Sequence, residues 1–177
     1  MPRHVGAQNK LGISIPKKYI IRRDFKSVIT AETPLPRLLF IQALFNSIPV
    51  DWMLRFMIFT TVNKTYLMRL PIPQPTDGEL ASNPAYKAIV RSSAALSLYN
   101  TPALLTEIKT GLKIKDSEIP TTQKQFDEIK IGLDLAVARL YQIDAKDIEH
   151  MLTSFKVLAR KHPEYVAQLL ERAKEEL

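Results

Sequence analysis

The chain has no cysteine. That excludes disulfides and thiolate metal centres and makes a reducing cytoplasm the expected setting. Glycine is scarce, with five scattered among 177 residues. No G-x-x-x-x-G-K-[ST] loop, G-x-G-x-x-G turn or G-x-S-x-G elbow occurs, so the familiar phosphate cradles and the nucleophile elbow are missing. The three histidines, His4, His150 and His162, stand apart. Without a His, Asp or Glu set at ligand spacing no zinc centre is expected, and His150 and His162 read as surface residues. Long apolar runs are also lacking. The longest, Ile48 to Phe59, is interrupted by Asp51 and Arg55, which argues against a membrane span. The opening MPRHVGAQNK has no apolar core of the kind a secretory signal carries. The expectation is a cytoplasmic chain with no membrane partner.

What is present is a basic first part. Residues 1–70 hold eleven Lys and Arg against three Asp and Glu, and residues 71–177 hold fourteen against fifteen. The net charge of +7 is therefore carried by the first part. A polyanion is the natural partner for such a segment, and a basic surface without a partner is the plainer alternative. The charge balance changes at Pro71, Pro73 and Pro75. These prolines force extended backbone and remove amide donors, so no helix or central strand passes through them.

Periodicity divides the chain in the same way. Residues 1–16 have none and read as an arm. Lys17 to Thr30 carries Tyr19, Ile20, Ile21, Phe25, Val28 and Ile29 between charges and predicts one or two short basic strands. Arg37 to Ser47 predicts a helix, and Pro49 and Asp51 start another containing Trp52, Arg55, Phe56 and Phe59. Thr60 to Lys64 predicts a loop and Thr65 to Leu70 a short strand. Beyond Pro75 the pattern is helical. Ser82 or Asn83 caps a helix with Pro84 near its start, Thr101-Pro102 repeats that device, and Gly111 fits a stop near Lys113. Thr122 and Gln125 make a capping-box pair before the stripe Phe126, Ile129, Leu133, Ala136, Val137, Leu140. Asp144 caps the next helix, with Ile148, Met151, Leu152 and Phe155 inward. Pro163 opens the last, with Val166, Leu169, Leu170 and Ala173 inward. The expected fold class is α+β, predominantly α: short basic strands and a helix pair in residues 1–75, then a helical bundle in residues 76–177, either as two parts or as one compact domain.

Two stretches imitate catalytic motifs. Asn83-Pro84-Ala85-Tyr86 is similar to the Asn-Pro-Pro-Tyr loop of amino-methyltransferases, but the second proline is alanine and the preceding residues do not form a buried strand, so a helix cap is the stronger reading. Glu107-Ile108-Lys109 and Glu128-Ile129-Lys130 match half of a metal-nuclease pattern, yet both sit in helix-period segments and read as solvated helix faces. No complete catalytic constellation is visible, and no cofactor is expected in this chain.

Two longer stretches resemble one family. Residues 37–75 contain Asn46-Ser47, then Asp51-Trp52 with Leu54-Arg55, then the polar Thr60 to Lys64, then Leu70-Pro71-Ile72-Pro73. Residues 133–143 read Leu-Asp-Leu-Ala-Val-Ala-Arg-Leu-Tyr-Gln-Ile, followed by Asp144-Ala145 and, after Glu149, Ser154-Phe155. In this order they resemble the target-recognition and helical C-terminal region of large adenine-specific DNA methyltransferases of restriction-modification systems, of the type IIG kind. Gln142 stands where that family commonly has glycine. The resemblance implies a DNA-binding specificity region, non-catalytic by itself, whose partners are double-stranded DNA and a catalytic methyltransferase domain or subunit that holds S-adenosylmethionine. The candidate nucleic-acid contacts are Lys17, Lys18, Arg22, Arg23, Lys26, Arg55, Asn63 and Lys64. The alternative is a protein-interaction module that docks through its apolar stretch and does not touch nucleic acid.

Overall fold

The computed structural model describes residues 33–57, 68–100 and 105–177, and of residues 105–107 the backbone only. In chain order these form α1 (Leu35–Phe45), α2 (Ile48–Met57), α3 (Asp77–Ser82), α4 (Pro84–Asn100), α5 (Leu105–Leu112), a 3₁₀ turn (Asp116–Glu118), α6 (Gln123–Leu140), α7 (Ala145–Thr153), α8 (Lys156–Lys161) and α9 (Pro163–Glu176).

The helix boundaries follow local chemistry. The Thr122 hydroxyl accepts the Gln125 N–H while Gln125 reaches back to the Thr122 N–H, and Asp144 and Asp147 do the same for α7. A third such box, Thr76 with Glu79, opens α3, and the Thr76 N–H holds the Glu79 carboxyl below its ordinary range. Asn83 Oδ1 accepts the Ala85 N–H at 2.9 Å, so Asn83-Pro84 is a helix start. The last turn of α6 closes with Ile143 N–H donating to the Ala138 carbonyl at 2.9 Å and Gln142 in the left-handed region at φ 56°. Glycine is the residue such a position favours. Gly111 lies inside α5, and it is Lys113, at φ 51°, that turns the chain after it.

Two apolar clusters share one wall. Leu39, Phe40, Ala43 and Leu44 of α1 meet Ile89, Val90 and Ala94 of α4, with Val50 and Leu54 of α2, Leu80 of α3 and Leu133 and Val137 of α6. Ile131, Leu135 and Ala138 of α6 face the second cluster, which holds Ile148, Met151, Leu152, Phe155, Tyr165, Leu169 and Ala173. The stripe from Phe126 to Leu140 is thus one of two buried faces of α6. Helices on either side of Pro75 contribute to both clusters.

A buried polar group fixes α2 on that wall. Asp134 is fully buried. Its Oδ1 accepts the Ile48 N–H at 2.9 Å, the Lys130 ammonium donates to both carboxylate oxygens at 2.5 Å, and the Tyr165 hydroxyl donates to Oδ2. One carboxylate therefore serves the first turn of α2 and the side chains of α6 and α9. Lys130 is 6% exposed, so the expected solvated face at Glu128-Ile129-Lys130 is corrected. An i,i+4 carboxylate draws the ammonium inward, and at position 130 the helix faces its second neighbour.

The α+β expectation is also overturned: the described residues form helices and no strand. The strand expected at Lys17 to Thr30 lies outside the described residues. The one expected at Thr65 to Leu70 is described only from Met68, where the chain turns. The Ile72 N–H closes a tight turn onto the Leu70 carbonyl at 2.8 Å. The alternate prolines that follow leave too few amide donors for a ladder. Arg37 holds this proline segment by donating to the Pro75 carbonyl at 2.9 Å and to Asp77 at 2.8 Å.

Asp134→Ala strands a buried ammonium and should lower unfolding free energy by about 3–5 kcal/mol in a urea titration. Lys130→Met with Asp134→Leu should recover only part, because the Ile48 amide and the Tyr165 hydroxyl still lack their acceptor. Burial, reinforced by Asp134, raises the Tyr165 hydroxyl well above its usual value of 10.0. The stability it contributes is full below about pH 10 and falls as pH rises towards the folded value. Tyr165→Phe should remove that part of the alkaline loss in a pH series of thermal melts.

Candidate nucleic-acid interface

Helix α2 leads from the Asp134 anchor to residue 58, where the segment containing the candidate contacts Asn63 and Lys64 begins. Its sequence gives it two faces. Ile48, Val50, Asp51 and Leu54 are buried. Trp52 and Phe56, one turn apart, lie on the other side with ring centroids 4.5 Å apart, and Trp52 meets the His150 ring of α7 edge-on at 6.3 Å. Phe56 is 64% exposed. It is therefore not core, although its place in an apolar run suggests that. Met68, on the far side of the same segment, is 68% exposed. These two are the large exposed hydrophobics among the described residues.

Arg55 is the one member of the eight candidate contacts that falls within the described residues. It does not point its charge at solvent. Its guanidinium donates to Asp51 at 3.3 Å, with the two side chains 15% and 1% exposed. It also sits 4.0 Å over the centre of the Phe155 ring, a geometry in which a cation is attracted to the ring face. Its Nε is buried with no hydrogen-bond partner among the described residues. Arg55 thus ties the last turn of α2 to the junction of α7 and α8. Lys17, Lys18, Arg22, Arg23, Lys26, Asn63 and Lys64 lie outside the described residues.

Some cations of the helical body are paired, and others, such as Lys87, Lys113 and Lys124, are exposed singly. Arg91 donates to both Glu118 oxygens, at 2.6 and 2.5 Å, and to the Leu112 carbonyl at 3.2 Å. That pair holds the Glu118 carboxyl below its ordinary range and fastens the 3₁₀ turn to α4. Lys109 pairs with Asp116, and Arg139 and Arg172 both pair with Glu176. Around α8 the pattern differs. Lys156, Arg160, Lys161 and His162 are all exposed, and residues 154–163 contain no acid. Three Lys and Arg within six residues and no acid between Glu149 and Glu164 is a signal legible in the sequence, and it is absent from the eight candidates above. His150 and His162 are surface residues, as expected.

Among the described residues no group of His, Cys, Asp and Glu is arranged to hold a metal ion, and no helix is long and apolar enough to cross a membrane. Comparison with protein-family models, with curated proteins and with solved structures finds no match to the chain.

Arg55→Ala removes packing on Phe155 and the cation beside a buried carboxylate, and should cost about 2–4 kcal/mol of stability by urea unfolding. Phe56→Ser changes an exposed side chain and should stay within about 0.5 kcal/mol. Equal effects of the two substitutions would contradict this division of the α2 faces.

Proposed function

We propose that the chain is a DNA-binding target-recognition and support region that acts with an adenine-specific methyltransferase domain or subunit of a restriction-modification system. The observation that carries this reading is a single buried hydrogen bond. The Ile48 N–H, in the first of the two stretches that resemble the family, donates to Asp134, in the second, across 86 residues of sequence. Two pieces resembling parts of one region thus share one core. The left-handed Gln142 supports the same reading, since it occupies the position where the family commonly has glycine.

The mechanism assigns the halves different work. Lys17, Lys18, Arg22, Arg23 and Lys26 neutralise phosphates and set the register of the duplex, and a few side chains, Asn63 and Lys64 foremost, reach base edges. The helices after Pro75 hold α2, from which that segment departs. Methyl transfer from S-adenosylmethionine belongs to the catalytic partner. The test is duplex affinity of the full chain by fluorescence anisotropy over a salt series. Six phosphate contacts should weaken binding about 10³-fold between 50 and 200 mM salt. Affinity that ignores salt, or no binding either alone or with the catalytic partner, removes the proposal.

The exposed Phe56 and Met68 favour a second reading, a protein-interaction module. It wins if Lys17, Lys18, Arg22 and Arg23 changed together to Glu leave capture of the catalytic subunit intact while no duplex binding exists to lose.

A further inference from the structure

We propose that α8 carries a second phosphate-contacting patch for duplex DNA, formed by Lys156, Arg160 and Lys161, next to the end of α2. The inference rests on the DNA-binding reading above and extends it to a part of the chain whose net charge does not suggest it.

Three observations converge. First, these cations are free to meet a partner. All three are exposed, and among the described residues none makes an ion pair or a side-chain hydrogen bond. The arginines at 37, 55, 91, 139 and 172 pair with carboxylates, whereas Arg69, like the α8 cations, is exposed without an ion pair among the described residues. Second, they are concentrated. Lys156 and Arg160 lie one helical turn apart, Lys161 follows directly, and no acid lies between Ser154 and Pro163. The nearest acids in sequence are Glu149 on α7 and Glu164 in the first turn of α9, both exposed. Like charges held this close repel; phosphates neutralise them, and release of the duplex's condensed counterions favours that contact. Third, the patch is well placed. Phe155, immediately before Lys156, is buried beneath the Arg55 guanidinium at 4.0 Å. The start of α8 is thereby fixed against the last turn of α2, the helix that leads into the segment of Asn63 and Lys64. A cluster some ninety residues away in sequence from Lys64 is brought beside the last turn of α2.

The partner is the duplex backbone and not a base edge, because short-range specificity needs planar, oriented donors and this patch is two flexible lysines and one arginine on a solvent-facing turn. Its role is to position and strengthen, uniformly across sequences.

The test compares three full-length proteins by anisotropy on a fluorescein-labelled mixed-sequence duplex: the unchanged chain, Lys156→Gln/Arg160→Gln/Lys161→Gln, and a control that removes the same charge elsewhere, Lys87→Gln/Lys113→Gln/Lys124→Gln. Both variants change exposed side chains, so unchanged far-ultraviolet circular dichroism and Tm are expected and are checked first. The α8 variant should bind about tenfold or more weakly and lose about 2–3 from the slope of log affinity against log salt, near 0.9 for each phosphate contact, while the control keeps both. Equal losses in the two variants, or no loss in the α8 variant while the unchanged chain binds, overturn the α8 patch alone. If the unchanged chain shows no salt-dependent binding, the DNA-binding reading and the patch fall together. Loss of binding to phosphatidylserine vesicles with duplex affinity unchanged also overturns it, and assigns the cations to a lipid surface.

Discussion

The fold depends on one buried carboxylate. Asp134 takes an amide from the first turn of α2, an ammonium from its own helix and a hydroxyl from α9. A charge with no solvent would be ruinous alone, and each donor around it is itself a group that could not be buried without an acceptor. The arrangement is therefore collective: three elements come together because none of their polar groups can be desolvated separately. It also sets direction. A hydrogen bond to the first residue of α2 fixes where that helix begins, and ten residues of α-helix then carry the chain a defined distance to residue 57.

The two ends of α2 are held by different physics. At the start, the Asp134 carboxylate is specific in geometry. At the end, Arg55 uses a partly buried ion pair and the face of Phe155. Cation and ring tolerate some sliding, whereas the amide-carboxylate contact does not. On the other side of the helix half-buried Trp52 packs against the second cluster and leaves Phe56 exposed beside it.

Much of the helical body was legible in the sequence because its signals are local. Capping residues at Thr122 and Asp144 and prolines at 84 and 163 act through bonds three or four residues away, and the apolar stripes of α6, α7 and α9 follow from a fixed helical period. What escaped depends on neighbours distant in the chain. Lys130 reads as a solvent residue until Asp134 and Tyr165 surround it. Arg55 reads as a phosphate contact until Asp51 and Phe155 claim it. Helical periodicity places Phe56 in an apolar stretch but cannot say which side of α2 lacks a neighbour. The short strand expected at Thr65 to Leu70 needs a ladder partner, and Met68 to Leu70 has a turn instead. The α8 cations were visible as an acid-free run; only the contact of Phe155 with Arg55 gives that run a location.

The two packed faces of α6 have a kinetic meaning as well. A helix that closes two cores at once cannot fray without opening both, so neither cluster is free to melt as a separate unit. Amide hydrogens in the middle of α6 would exchange with solvent only through events that approach global unfolding, while those of α8, six residues long with no buried side chain, would exchange through small local openings. Among the described residues α6 is thus held on two sides at once, while α8, against the last turn of α2, is held through few contacts.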